Sequence, residues 1–253
     1  MFKTLTLRSE AHALEIRLNR PEVLNALSLE LLAELKRALA DAAQQKEIRS
    51  VCLIGEGRGF CAGADLTSTP LDGDVQSIVE SYYNPVITLL ATMPKPVIAA
   101  INGTAAGAGM SLSLACDMRI IAEHAALTVG FTKIGLSLDA GMSYFLPRLV
   151  GRGRAFELAY TNRNITAAEA LNLGLVEKVL PQEGFAEVAF ILAKELASGP
   201  ASFGLVKQLL NSEDLEKQLS LEATLQAKAA KTHDAKEGVM AFAEKRKASF
   251  KGG

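Results

Sequence analysis

Apolar and polar positions along the chain alternate between the spacings of strands and those of helices. Two apolar runs, residues 2–7 and 13–18, flank a polar segment at 9–12 and predict a β-hairpin. From Ser28 the leucines recur at helical spacing, which predicts a helix to about Gln45 with Ser28 as its N-cap. Short uncharged or β-branched runs predict further strands at 50–54, 60–62, 96–101, 117–122 and 127–129.

The later part of the pattern is mainly helical. A polar stretch precedes a helix predicted over about 75–93, and another helix is predicted to begin near Met142. From about Phe185 the apolar spacing stays helical, with further helices predicted over 203–210, 215–232 and 237–245. These helices have little core of their own, which favours an oligomer. We therefore divide the chain into a core, residues 1–198, and a helical C-terminal region, residues 199–253.

Small residues and glycines follow two of the predicted strands. They form the turns Gly63-Ala64 and Gly107-Ala108, each after a strand in a strand–turn–helix unit. A turn without side chains at the start of a helix brings backbone N–H groups close to a ligand. Two such donors are what a thioester oxyanion requires. Tight packing of a helix against a neighbouring backbone is the alternative explanation of each turn taken alone.

Asp139 lies among apolar residues, directly before Ala140, Gly141 and a run with helical spacing. An aspartate at the start of a helix is commonly its N-cap. An aspartate enclosed by apolar groups is instead a candidate general base, because desolvation raises its pKa. The residues alone leave both interpretations open.

Charge and composition exclude several classes of function. The 27 Lys and Arg balance 28 Asp and Glu, so no general attraction to nucleic acid or anionic membranes is expected. The cysteines, Cys52, Cys61 and Cys116, lack C-x-x-C spacing and the three histidines are dispersed, which predicts reduced core thiols and no metal site. Neither a signal peptide nor a membrane-spanning run is present in this sequence, so we expect a cytoplasmic protein.

Several motifs occur in a fixed order along nearly the whole chain. They are NRPEVLNAL (19–27), GEGRGFCAGADL (55–66), PKPVIAAINGTAAGAGMSLSLACDMRIIAE (94–123), GLSLDAGMSYFLPRLVGRGRAFELAYTNRNITAAEALNLGLVEKV (135–179) and KEGVMAFAEKRKASFKG (236–252). Together they resemble the crotonase family, also called the enoyl-CoA hydratase/isomerase family. The resemblance implies an α/β fold, built as a spiral of β-β-α units, with a helical C-terminal region used in trimerisation.

The resemblance also implies a ligand, an acyl-CoA thioester, and assigns residues to it. The thioester carbonyl is expected between the N–H groups of Ala64 and Ala108. The expected contacts with coenzyme A and the rest of the substrate are Ala62, Asp65, Leu66, Glu22, Val23, Leu24, Gly109 and Phe131. The late residues Phe242, Lys245 and Phe250 are expected to complete the site of a neighbouring subunit in a homotrimer or a dimer of trimers. Coenzyme A arrives as part of the substrate, so no cofactor is expected.

Departures from the family pattern indicate the type of reaction. Hydratases of the family carry two glutamates, and the corresponding positions here are Ser111 and Phe131, neither of which is acidic. Asp139 falls where dienoyl-CoA isomerases and the epoxyphenylacetyl-CoA isomerases of phenylacetate breakdown carry an aspartate. The sequence around Asp139 resembles the epoxyphenylacetyl-CoA isomerases most. The resemblance therefore favours an isomerase that uses Asp139 to shift a double bond or to isomerise a ring epoxide.

Three alternatives remain at the level of the sequence. A hydratase would use Asp139, or a loop acid such as Glu80, to activate water. A hydrolase would need a triad of Ser111, His124 and Asp139, although Ser111 is in no nucleophile motif. RNA binding, known among crotonase relatives, would need a basic surface stripe, and the balanced charge argues against it.

Overall fold

The strands of the computed structural model, which describes residues 2–66, 75–211, 232–244, 246 and 248–252, follow the predicted order closely. They are β1 (Leu5–Glu10), β2 (Ala13–Leu18), β3 (Ser50–Gly55), β4 (Gly59–Cys61), β5 (Val97–Ile101), β6 (Thr104–Ala106), β7 (Met118–Ala122), β8 (Ala126–Thr128), β9 (Ile165–Thr166) and β10 (Lys178–Leu180). The predicted hairpin is confirmed, but its turn is shorter than expected. Ala11 and His12 alone form it, with φ of 47° and 66°, the left-handed pair that suits a two-residue hairpin turn.

The helices lie between these strands and then continue to the C-terminus. They are α1 (Leu29–Gln44), α2 (Val75–Ile78), a π-helical turn (Val79–Tyr83), α3 (Asn84–Thr92), α4 (Ala108–Leu114), α5 (Met142–Val150), α6 (Arg152–Thr161), α7 (Ala167–Asn172), α8 (Phe185–Ala197), α9 (Ser202–Leu210) and α10 (His233–Ala243). Short 3₁₀ turns cover Pro21–Val23 and Thr132–Ile134. The predicted cap of α1 is confirmed, since the Ser28 side chain accepts a hydrogen bond from the Leu31 N–H.

Two sheets form as the chain winds through successive β-β-α units. One has six strands in the order β1-β2-β3-β5-β7-β10, parallel except for the hairpin. The other has four strands in the order β4-β6-β8-β9, of which the first three are parallel. Each of the pairs β3/β4, β5/β6 and β7/β8 therefore gives its first strand to the large sheet and its second to the small one. This confirms the predicted spiral.

The helical C-terminal region packs against the core through a buried lysine. Lys207 of α9 donates from Nζ to the Leu90 carbonyl at 2.6 Å and lies 2.9 Å from Asp117 Oδ2. Next to it, Gly204 is so close to the Pro94 carbonyl that a Cβ there would overlap it. The predicted boundary at residue 198 falls in the turn between α8 and α9, and trimerisation stays a prediction. Most of the helix predicted over 215–232 lies outside the described residues.

Candidate active site

Three glycine turns meet at one edge of the small sheet. Gly63, Gly107 and Gly130 follow β4, β6 and β8, and their φ angles are 98°, 53° and 77°. Because these strands are parallel, their carboxyl ends lie side by side. A Cβ on Gly63 would lie 2.8 Å from Ala106 O and 3.4 Å from Ala108 N. Backbone thus approaches backbone directly at this edge, and only glycine allows both the angle and the distance.

At this edge, the N–H groups of Ala64 and Ala108 make no hydrogen bond to an acceptor among the described residues. Ala64 is fixed on both sides by a β-bridge to Leu27, whose N–H donates to Gly63 O at 2.8 Å. Ala108 begins α4, immediately after the left-handed Gly107. The sequence therefore placed both turns correctly, and the structure brings them together. Adjacent unpaired donors of this kind can stabilise a carbonyl oxygen that gains negative charge.

The glycine that follows Ala108 has a packing role. A Cβ on Gly109 would overlap the Cys61 carbonyl, because the first turn of α4 lies directly on β4. Close packing, the alternative considered for these turns, thus operates together with the free donors. It holds Ala108 at a fixed distance from the end of β4. Contact of Gly109 with a substrate stays a prediction.

The loop after the hairpin runs beside the first of these turns and gathers several predicted contacts. Ala62 donates its N–H to Leu24 O at 2.9 Å, so these two residues lie together. Glu22 and Leu66 are exposed on either side of them. Asp65 is buried and its Oδ2 lies 2.9 Å from an Arg20 guanidinium nitrogen, so its carboxylate is engaged within the protein.

Sequence reasoning missed a residue that shapes this loop. Asn25 is fully buried with φ of 58°, and its side-chain amide donates to the carbonyls of Glu56 and Gly59 at 2.9 and 2.8 Å. It therefore joins the loop to the segment that precedes β4. Asparagine tolerates left-handed backbone better than most residues, which is the one local signal that the sequence offered.

Asp139 lies on the loop before α5, and it does not cap that helix. Gly141 occupies the N-cap position and no side chain accepts a capping hydrogen bond there. The capping interpretation is therefore wrong. The backbone carbonyl of Asp139 instead accepts from Met142 N–H at 3.0 Å and from the Ser111 hydroxyl at 3.2 Å. Since Ser111 belongs to α4, Asp139 lies beside the helix that begins with Ala108.

One oxygen of the half-buried Asp139 carboxylate is unsatisfied. Its Oδ1 atom is buried without a hydrogen-bond partner in the described part of the chain. Burial raises the pKa of Asp139 to about 6, and no nearby cation opposes the rise. A carboxylate with a pKa in this range can take up a proton and return it near neutral pH. The raised pKa is what a general base needs, and the catalytic role of Asp139 stays a prediction.

The two positions that correspond to the hydratase glutamates are occupied by groups with no acid–base function. Phe131 is 6% exposed and belongs to the core, and Ser111 is fully buried. The Ser111 hydroxyl is directed at two backbone carbonyls, whereas His124 is exposed. The Ser111, His124 and Asp139 side chains therefore do not form a hydrolase triad.

The C-terminal segment folds back at the other end of β3. Phe250 accepts a hydrogen bond at its carbonyl from Arg49, the residue that precedes β3, at 3.4 Å. Its ring lies 3.5 Å from where a Cβ on Gly238 would be. In this chain Phe250 is thus not beside Ala64, and its predicted role in a neighbouring subunit stays a prediction. Lys245 and the side chain of Phe242 lie outside the described residues.

The described residues contain no cluster that could bind a metal ion and no exposed cysteine. No group of three or more His, Cys, Asp or Glu residues that could hold a metal ion occurs there. The three cysteines are buried, and burial raises the pKa of Cys61 and Cys116 to about 12, so these thiols stay protonated. The prediction of core thiols is confirmed. Among the described helices, none is both long and apolar enough to cross a membrane.

Known proteins resemble this chain over its whole length. A family model described as enoyl-CoA hydratase/isomerase matches residues 8–253. The chain is 41% identical over 252 residues to the 1,2-epoxyphenylacetyl-CoA isomerase of Escherichia coli (strain K12), covering 96% of each chain. It is 42% identical over 242 residues to a Rhodobacter capsulatus protein named "Probable enoyl-CoA hydratase", covering 94% and 93%. The crystal structure of an enoyl-CoA hydratase from Bacillus anthracis superimposes with a TM-score of 0.93 at 39% identity, covering 99% and 100%.

Proposed function

Because this chain belongs to the enoyl-CoA hydratase/isomerase family, we propose that it is an acyl-CoA isomerase with Asp139 as its single catalytic base. One observation carries the proposal. Asp139 is the unpaired carboxylate with a raised pKa beside α4, while Ser111 and Phe131 occupy the positions where hydratases have glutamates. Hydration divides its proton transfers between two carboxyl groups. A double-bond shift needs only one.

The proposed reaction moves one proton between two carbons of the acyl chain. The thioester oxygen lies between the N–H groups of Ala64 and Ala108. Asp139 removes a proton from carbon, the C–H electron pair moves into the conjugated system, and the negative charge on oxygen is stabilised by the two donors. The carboxylic acid so formed returns the proton to a different carbon as the enolate collapses. No water, oxidant or cofactor is consumed, and the base is regenerated.

Asp139 suits this role because its pKa, raised to about 6, lies between those of a solvated carboxyl group and a histidine imidazolium. Below about pH 6 the carboxylate would be protonated and unable to accept a proton. We therefore expect kcat/KM to rise with pH through about 6 and then to level off.

The coenzyme A portion is proposed to lie along Ala62, Leu66, Leu24 and Glu22, the edge next to Ala64. Leu66 is 47% exposed and Glu22 is also exposed, so this edge is open to a large ligand. Phe250 of a neighbouring subunit would complete it in a homotrimer or a dimer of trimers. The protein is proposed to act in the cytoplasm on an acyl-CoA thioester, without nucleic acid or membrane.

The ring-epoxide version of this chemistry is supported by the Escherichia coli relative, which is named a 1,2-epoxyphenylacetyl-CoA isomerase. Stabilisation of negative charge on the thioester oxygen would serve a ring substrate in the same way. A straight-chain 3-enoyl-CoA and a ring 1,2-epoxide ester are therefore the two substrates to compare.

The alternative is an enoyl-CoA hydratase, the activity for which the Rhodobacter capsulatus relative is named. It would need a second acid–base group. Glu80, the acid considered for this purpose, lies in the π-helical turn and not in a loop; it is exposed and accepts a hydrogen bond from Gln76 at 2.9 Å.

Product analysis with three esters tests the proposal: a 3-enoyl-CoA, crotonyl-CoA and the ring epoxide. We expect a shifted double bond from the first or a ring-isomerised product from the third, and little hydration of crotonyl-CoA. The variant Asp139→Asn should lose this turnover while binding a saturated acyl-CoA with unchanged affinity. Efficient hydration of crotonyl-CoA, or turnover retained in Asp139→Asn, would contradict the proposal.

A further inference from the structure

The catalytic carboxylate has no hydrogen bond of its own to hold it. Among the described residues, no donor is recorded for the Asp139 side chain, and its Oδ1 atom is buried without a partner. An aspartate side chain is short, so the position of the backbone largely determines the position of the carboxylate. Whatever fixes the Asp139 peptide therefore fixes the base.

We propose that Ser111 is a positioning residue, whose hydroxyl fixes the Asp139 peptide to the helix that carries the Ala108 N–H. The Ser111 oxygen lies 3.2 Å from Asp139 O and 3.4 Å from Gly107 O. The second contact is the ordinary bond of a helical serine to the carbonyl four residues back. The first reaches across 28 residues of sequence to another segment. This inference rests on the proposed role of Asp139.

A second serine on the same helix shows that the contact is not required for burial alone. Ser113 is also fully buried, and its hydroxyl donates to Met110 O at 2.7 Å, within α4. A buried hydroxyl can thus be satisfied inside this helix. Ser111 differs because its hydroxyl also meets a carbonyl from outside.

The backbone after Asp139 needs such an anchor. Ala140 is buried with φ of 48°, and Gly141 follows with φ of 80°. A non-glycine residue in this region is strained and persists only when its surroundings hold it. On one side a Cβ at Gly141 would lie 2.7 Å from the Phe145 ring and 3.2 Å from Ile87. On the other side, Ser111 holds the Asp139 carbonyl.

The position of Ser111 in α4 gives this contact its functional meaning. Ala108 and Ser111 are three residues apart, one turn of the same helix. The donor for the thioester oxygen and the anchor of the base are thus parts of one rigid element. When the substrate-binding edge moves slightly, the Asp139 carboxylate would move with it, and the distance between the Ala108 N–H and this carboxylate would stay constant.

The matched variants Ser111→Ala and Ser113→Ala test this assignment on the full chain. Each removes one hydroxyl from a fully buried serine of α4. We expect Ser111→Ala to lower kcat about 10-fold with KM little changed, since a misplaced base loses part of its contribution to proton transfer. The midpoint of its pH–rate profile should also fall below that of the wild type, because a looser loop lets water reach the carboxylate. Ser113→Ala should change neither quantity.

Ser111→Cys keeps the volume but offers only a weak S–H donor, so it serves if Ser111→Ala does not fold. We expect its kcat to lie between those of the wild type and Ser111→Ala, or severalfold below the wild type if the alanine variant cannot be measured. Equal kcat and pH midpoint in the Ser111 and Ser113 variants, or a wild-type kcat in a folded Ser111→Cys, would overturn the inference. If Asp139→Asn keeps its activity, the proposed base is wrong. If Asp139→Asn is inactive and the Ser111 variants are unaffected, the base stands and only the role of Ser111 is wrong.

Discussion

Two aspartates of this chain, the half-buried Asp139 and the buried Asp234, have opposite environments. Asp139 lies before α5 with an unpaired oxygen, and burial raises its pKa to about 6. Asp234, at the start of α10, is 1% exposed and accepts hydrogen bonds from the N–H groups of Ala201, Lys251 and Gly252 at 2.7–3.1 Å. Burial alone would raise the pKa of Asp234, but these three donors outweigh burial and lower it.

The difference separates a carboxylate that joins segments from one that can react. Asp234 connects α9, α10 and the C-terminal residues, and its charge is stabilised where it lies. Asp139 has its charge destabilised, so it accepts a proton more readily than a solvated carboxylate does. The residue type is shared, and the presence or absence of hydrogen-bond donors around the carboxylate decides the role.

The largest expected effect comes from exchanging the two carboxylates for amides in turn. Asp139→Asn should lower kcat about 10³-fold, within the range for loss of a general base, and leave the protein folded. Asp234→Asn should lower thermal stability and leave kcat within about 2-fold of the wild type, because a group outside the site takes no part in the proton transfer. Steady-state kinetics and thermal melts of both variants check this. A large loss of kcat in a folded Asp234→Asn would remove the distinction.

A second test determines whether Asp139 supports catalysis when the Ala64 N–H donor is displaced. Gly63→Ala would place a Cβ 2.8 Å from Ala106 O at φ of 98°, displacing the Ala64 N–H. We expect kcat/KM to fall about 10²-fold, as for loss of one oxyanion donor. Gly153→Ala is the matched control, since no atom lies within 4 Å of its Cβ position. Equal kinetics in the two variants would mean that the Gly63 turn does not serve catalysis.

A third test concerns the joining role of Asp234. Asp234→Ala leaves three N–H groups without their acceptor, and we expect it to lower the free energy of unfolding by about 1–3 kcal/mol. Glu244→Ala removes an acid of the same region, but Glu244 is exposed and pairs with Arg246 at the surface, so its loss should cost less than about 1 kcal/mol. Urea denaturation measures both. A cost for Asp234→Ala no larger than that for Glu244→Ala would contradict the role.

The smallest expected effect is on the pH dependence of stability, to which Asp139 and Asp234 contribute with opposite signs. The pKa of Asp139 is higher in the folded state than in the unfolded chain, so its ionisation destabilises the fold above about pH 6. Asp139→Asn should therefore be more stable than the wild type at pH 7. One pKa unit corresponds to about 1.4 kcal/mol, and solvent screening of this partly buried group reduces the expected gain to about 1 kcal/mol.

This gain should shrink as the pH falls through 6 and vanish below about 4, where the carboxyl is protonated in both states. The stability that Asp234 contributes runs the other way, because its pKa is lowered. It is present above about pH 4 and lost as the pH falls below that value. Urea denaturation of the wild type and both asparagine variants between pH 3.5 and 8 gives these curves. A gain in Asp139→Asn that does not change with pH would show that Asp139 is not a destabilised charge.

Local patterns predicted much of the fold and one half of the site. The strand predicted at 96–101, observed at Val97–Ile101, the helix capped by Ser28 and the glycine turns were predicted from apolar spacing and small residues. Such features depend on neighbours within a few positions of the chain. The hairpin turn was placed less well, because the polar residues Ser9 and Glu10 pair in β1 on its exposed face.

By itself, the sequence determined most of the strands and helices, the two small-residue turns and the presence of an aspartate before α5, and its resemblance to a known family implied the β-β-α spiral. Only the tertiary structure decided that Asp139 does not cap α5 and has a buried oxygen without a partner among the described residues, that Ser111 meets its carbonyl, and that Asp234 is a fully satisfied acid. The physical reason is that a carboxylate's pKa depends on desolvation and on donors, and the donors to the Asp234 carboxylate lie 17, 18 and 33 residues away along the chain. No local sequence pattern identifies the hydrogen-bond donors that will surround a carboxylate in the folded chain.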